Sequence, residues 1–156
     1  MDQEDIIRSI VETFTGIQLL QPTDGPGAGD TFIYYAPDTF DPARQMPFAT
    51  IVTKDYGEFD NVSHLDRPGV YRLNIGISRD TFRALFGHLP NEEDSSGTIY
   101  DYVTSNTLMP HPIYAKQAFV CILTPQTDTF ESIKPLLAEA YEIVVARHTR
   151  TQMQKE

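Results

Sequence analysis

Residues 67–87, RPGVYRLNIGISRDTFRALFG, constrain the fold more than any other part of the chain. A Pro-Gly turn opens the stretch. Tyr71, Leu73, Ile75 and Ile77 then alternate with Arg72, Asn74 and Gly76, the period-two pattern of a strand with one face in a core and the other turned to solvent or a ligand. The strand runs directly into a helix signal. Ser78 is its N-cap, Ile77 at N′ is placed to staple onto Phe82 at N4, and Phe82, Leu85 and Phe86 form the buried stripe. Gly87 is the stop. The stretch also sets Arg67, Arg72, Arg79 and Arg83 against a lone Asp80, in a chain whose formal net charge is −10. A field of that sign repels a phosphate backbone, so a broad nucleic-acid-binding face is disfavoured and only a local basic patch is left.

The same rules predict the remaining elements. Asp2 caps a first helix whose apolar residues Ile6, Ile7, Ile10, Val11 and Phe14 follow the 3,4 spacing of one buried stripe, with Gly16 closing it at C′. Residues 17–20 and 31–35 predict strands joined by a long Pro/Gly-rich turn, and 48–53 predict a third strand. The GPGAG in that turn is not a phosphate loop, because a strand follows it in place of a helix N-terminus. Residues 54–66 form a connection long enough to suggest function. Residues 88–98 read as a mobile acidic loop, 99–103 as a short strand or a helical turn, and Met109-Pro110-His111-Pro112 as extended chain. AFVCIL at 118–123 predicts a central strand covered on both faces. A last helix starts with a capping arrangement of Asp128 and Glu131. It buries Ile133, Leu136, Leu137, Ala140, Tyr141, Val144 and Val145, and it ends near Arg147, His148 and Arg150.

Strands clustered between terminal helices predict an α+β, two-layer sandwich: a mostly antiparallel sheet of about five strands with three helices packed on one face. A single domain over 1–150 and a frayed tail at 151–156 complete this organisation.

Several chemistries are disfavoured by residue type and spacing. Cys121, the one cysteine, lies in an apolar run and reads as a small buried hydrophobe. His64, His88, His111 and His148 are scattered without metal-ligand spacing, and no G-x-S-x-G elbow occurs, so neither a metal, a cofactor nor a catalytic residue is assigned. The acidic N-terminus is unlike a signal peptide and no apolar run approaches a membrane span, which implies a cytoplasmic protein with no membrane partner.

YRLNIGISRDTFRALFG, then HPIYAKQAFVCILTP and LLAEAYEIVVAR, resemble bacterial proteins of a domain family with no assigned function. More distantly they are similar to the MmcQ/YjbR-like family, with Tyr141, Val144, Val145 and Ala146 the best-fitting positions. The resemblance covers about the second half of the chain. It implies a CyaY-like two-layer fold, with members described as DNA-binding and a frataxin-like branch that handles iron through acidic surface residues. This sequence departs from both, lacking a broadly basic surface and an acidic ligand set in its first helix.

If the helices cover one sheet face, Arg72 and Asn74 project from the other, with Tyr34, Asp55 and Tyr56 nearby. His111, between two prolines and close to Tyr114, is a further candidate. Aromatic groups mixed with a few polar ones suit a ligand cleft or a partner surface; the alternative is a solvated sheet face with Arg72 paired to a neighbouring acid. The sequence therefore points to a non-enzymatic binding domain for a small molecule or protein. Nucleic-acid binding is the alternative and an enzyme the third reading. An open apolar sheet face would favour a homodimer.

Overall fold

The alternation at 71–77 is a strand at the middle of a sheet. In the computed structural model, which describes residues 1–154, Arg72–Gly76 (β4) lies between Ala49–Val52 (β3) and Phe119–Leu123 (β6). Ile17–Leu20 (β1) and Thr31–Tyr35 (β2) continue the sheet beyond β3, and Met109–Pro110 (β5) closes the opposite edge. Among the described residues six strands run in the order β1-β2-β3-β4-β6-β5, every neighbouring pair antiparallel. This is one strand more than the spacing predicts. β5 consists of two residues in the extended Met-Pro segment, and Pro110 can sit there because an edge strand need not donate outward.

The helices Gln3–Thr13 (α1), Arg79–Phe86 (α2) and Thr127–Gln154 (α3) pack on one face. Ile6, Ile7 and Ile10 of α1, Phe82 of α2, and Phe130, Ile133, Leu137 and Ala140 of α3 join one core. The sheet supplies Ile33, Ala49, Ile51, Leu73, Ile75, Val120 and Ile122 to it. The architecture is therefore α+β, an open antiparallel sheet backed by helices. No helix among the described residues is long and apolar enough to cross a membrane.

Local rules account for most boundaries. Asp2 caps α1 in a reciprocal box with Asp5, each carboxylate accepting the other residue's backbone N–H. The helix stops at Phe14, before Gly16, whose positive φ instead turns the chain into β1. Val11 and Leu85, expected in buried stripes, are 47% and 42% exposed because they lie at the borders of those stripes. Asp128 falls inside the first turn of α3, which begins at Thr127, so its charge favours the helix dipole without capping.

Ser78 caps α2, accepting from the Thr81 backbone N–H at 3.1 Å, and Gly87 ends it in the left-handed region at φ 85°. The cap is also tied to α3. The Glu139 carboxylate accepts from the Ser78 hydroxyl at 2.8 Å and the Thr81 hydroxyl at 2.6 Å. Ser78→Ala loses both cap and tie and should cost about 1–2 kcal/mol by urea denaturation. Combined with Glu139→Ala the two losses should fall short of additivity, because both variants break the same bond.

Candidate functional site

The second face of the sheet carries the polar residues of β4. Register sets Phe32, Thr50, Asn74, Cys121 and Met109 in one row across the strands, and Val52, Arg72 and Leu123 in the next. Loops rise over this face and leave a cavity of about 560 Å³. Residues 42–47 form one wall, Tyr56, Phe59 and Asp60 a second, and His111, Tyr114 and Gln117 a third. Phe119 completes the floor. Its ring lies against Gly76, where an added Cβ would meet ring carbons at 3.0 Å, so glycine on β4 is what lets the aromatic lie flat.

Arg72 is the centre of the site and is fully buried. Its Nη1 and Nη2 donate to the two Asp60 oxygens at 3.1 and 2.5 Å, a bidentate ion pair. Nη1 also donates to Ser63 Oγ at 2.9 Å and Nε to Asn74 Oδ1 at 3.0 Å. The Asn74 amide in turn donates to Thr50 Oγ1 at 2.9 Å. Nη2 comes within 3.3 Å of His111 Nε2.

His111 is 3% exposed and fixed by its own turn, with Nδ1 accepting the backbone N–H groups of Ile113 and Tyr114 at 3.0 and 2.9 Å. Burial, and then the Arg72 charge, pull its pKa from the ordinary 6.5 down to about 3, against an opposing pull from Asp60. The ring is therefore neutral. The Tyr114 ring lies 5.0 Å from the imidazole and 6.3 Å from Phe59, forming an aromatic rim.

The wall that holds Asp60 is itself anchored. Asp30, at the end of the glycine-rich turn and 1% exposed, accepts the Thr53 backbone N–H at 2.8 Å and the Thr53 and Tyr56 hydroxyls. Burial, and then Asp30, push the Tyr56 phenol upward, keeping it a donor. At the other end Asp55 accepts from Leu65 N at 2.9 Å while Asp66 accepts from Asp55 N at 3.2 Å. These bonds close the base of the loop.

Of the residues singled out by sequence, Arg72, Asn74, His111, Tyr114 and Tyr34 line this one cavity. Asp55 stands outside its lining, its carboxylate used in the loop clasp. Asp60, Ser63, Phe59, Phe32 and Phe119 escaped the sequence reading. The signal for Asp60 was a strand arginine in need of an acid beside a long acidic loop; the phenylalanines carried no such signal.

The arginine island is divided by the fold: Arg72 is interior, while Arg67, Arg79 and Arg83 stay exposed, Arg67 donating to the carbonyls of His64, Ser63 and Val103, Arg79 to Asn91, and Arg83 lying 3.8 Å from Asp80 on its own helix. Cys121 lies beneath the cavity, fully buried, and burial raises its thiol pKa to about 12. Among the described residues no group of three or more His, Cys, Asp or Glu is arranged to hold a metal ion. A smaller cavity of about 340 Å³ lies between α1 and α3, where Glu131 and Lys134 pair with each other at 2.8 Å.

Helices on one face of the sheet and a loop-walled chamber on the other define an α+β domain with an internal polar centre. The chain belongs to a family of unknown function, DUF6194, whose model matches residues 1–153. No curated protein and no solved structure matches it.

Two measurements probe the centre. Arg72→Met strands the Asp60 carboxylate and should destabilise by about 3–5 kcal/mol in urea, with Asp60→Leu restoring part of the loss. His111 is neutral when folded but takes a proton when unfolded, so its contribution is complete above pH 6.5 and is lost as pH falls towards 3. Within that window stability should drop by up to about 1.4 kcal/mol per pH unit more steeply in the native chain than in His111→Gln.

Proposed function

We propose that the protein is a non-enzymatic binding domain that holds a small molecule in the chamber on the second face of its sheet. The observation that carries this reading is the chamber itself. At about 560 Å³, with an aromatic wall and a few polar groups held from below, it falls in the range of small-molecule sites. Phe59 and Met46, 65% and 67% exposed, supply an apolar rim across which an apolar ligand can pass.

The polar groups favour binding over catalysis. Arg72 is committed to Asp60, Nδ1 of His111 is occupied by backbone donors, and the Cys121 thiol is held protonated by burial. None is placed as a nucleophile or a general base near neutral pH. Loops over the sheet favour a small molecule above a second copy of the chain. The nucleic-acid role implied by an MmcQ/YjbR-like resemblance draws little support from the arginines: Arg72 is spent inside on Asp60, Arg67 and Arg79 donate to neighbouring loops, and exposed Arg83 stands beside Asp80 in a chain of net charge −10. A cytoplasmic setting, where a lone thiol stays reduced, belongs to the same reading.

The test is a metabolite library screened by thermal shift against the native chain and Gln117→Trp. Gln117 is exposed at the rim, so the indole obstructs the chamber without disturbing the core. A ligand at about a hundred times its Kd should raise Tm by about 5–10 °C in the native chain and by far less in the variant. Hits that stabilise both proteins equally, or a screen with no hits, would sink the reading.

A further inference from the structure

The hydrogen-bond pattern around His111 leaves two donors facing each other. Nδ1 accepts two backbone N–H groups, so it carries no proton. A neutral imidazole without a proton on Nδ1 bears it on Nε2. That nitrogen lies 3.3 Å from Arg72 Nη2, and a guanidinium nitrogen has hydrogens to give and no lone pair to offer. One Nη2 hydrogen is directed at Asp60. The other meets the His111 Nε2–H, and both residues border the chamber. Neither hydrogen has an acceptor in the other, and a buried donor left unmatched is costly. An oxygen on the chamber side of the pair, within hydrogen-bond reach of both nitrogens, would satisfy both.

Charge decides which oxygen. The Arg72 guanidinium is already balanced by Asp60 at 2.5 Å, and His111 is neutral, so the centre sums to zero. A carboxylate seated there would bring an uncompensated anion beside Asp60 in a pocket lined largely by apolar surface. A carbonyl oxygen accepts both hydrogens without adding charge. Within the remaining lining, Phe32, Tyr34, Met46, Phe59 and Phe119 offer aromatic and thioether surface for an apolar body, with Gln45, Thr50 and Gln117 among the polar groups beside them.

We propose that the chamber recognises a neutral carbonyl compound, an aromatic or aliphatic body whose one carbonyl oxygen bridges His111 Nε2–H and Arg72 Nη2–H. The proposal rests on the small-molecule reading above and names its ligand class. Fluorine NMR titrations of the native chain with 4-fluoroacetophenone, 4-fluoro-α-methylstyrene and 4-fluorobenzoate separate the contributions. The styrene replaces the carbonyl oxygen by a methylene of the same shape, and the benzoate replaces the methyl ketone by an anion. The ketone should bind about tenfold or more tightly than either. His111→Phe should abolish that preference while still admitting the styrene. Nitrogen-15 long-range correlation spectra should show the His111 proton on Nε2.

A proton on Nδ1 overturns the proposal outright. Equal binding of ketone and styrene overturns it while the small-molecule reading stands, and means that water serves the two donors equally well. Tighter binding of the benzoate overturns the charge argument and with it the carbonyl assignment. Binding by none of the three at millimolar concentration overturns the proposal, and the metabolite screen then decides the broader reading on its own.

Discussion

A guanidinium in the interior of a small domain must have its charge balanced and its donors answered, and the second face of this sheet is arranged around that demand. Arg72 stands on the central strand, buried at the base of the chamber. Asp60 and Ser63 come from the loop above, Asn74 from the same strand and His111 from the turn before β6. One side chain thus fixes the relative positions of three segments distant in sequence. Removing a charge pair from water consumes much of the attraction between its members, so the pair's contribution lies less in net stability than in holding the wall at one height.

The helix-backed face follows a different logic. Its core is aliphatic and aromatic, and its boundaries come from caps, stops and spacing. The two faces meet in β4, where each residue passes its neighbour's side chain to the opposite layer. Leu73 and Ile75 face the helices while Arg72 and Asn74 face the loops. The rigidity of the site is borrowed from the first layer, which holds the strand from behind.

This division explains what could be read from the sequence. Period-two alternation at 71–77 and 3,4 spacing in the helices are local, and they placed the elements and the face to which Arg72 belongs. Stripe borders were less legible: Val11 and Leu85 satisfy the same spacing as their buried neighbours, and only the width of the contact separates them. β5 was hidden because two residues carry no period, and its pairing is supplied by β6. The site was half legible for the same reason. Arg72 announced a missing acid, but the choice of Asp60 over Asp55, five residues away on one polar loop, depends on a turn in which Tyr56 and Asp60 pair across Gly57. Side chains that share a loop and a charge differ in role through backbone direction alone.

The clasp at the foot of that loop has an evolutionary side. Asp55 and Asp66 bring the ends of the segment together independently of what lies between them, while Asp30 moors its first residues to a neighbouring turn. Lengthening a loop whose ends are already joined is entropically cheap, about 0.6 kcal/mol for each doubling. The chamber's wall can therefore be remodelled by insertion or deletion within the clasped loop, outside the Tyr56–Asp60 turn, without disturbing the sheet or its helices. Such a wall lets one scaffold enclose chambers of different sizes, provided that Asp60 still returns to Arg72.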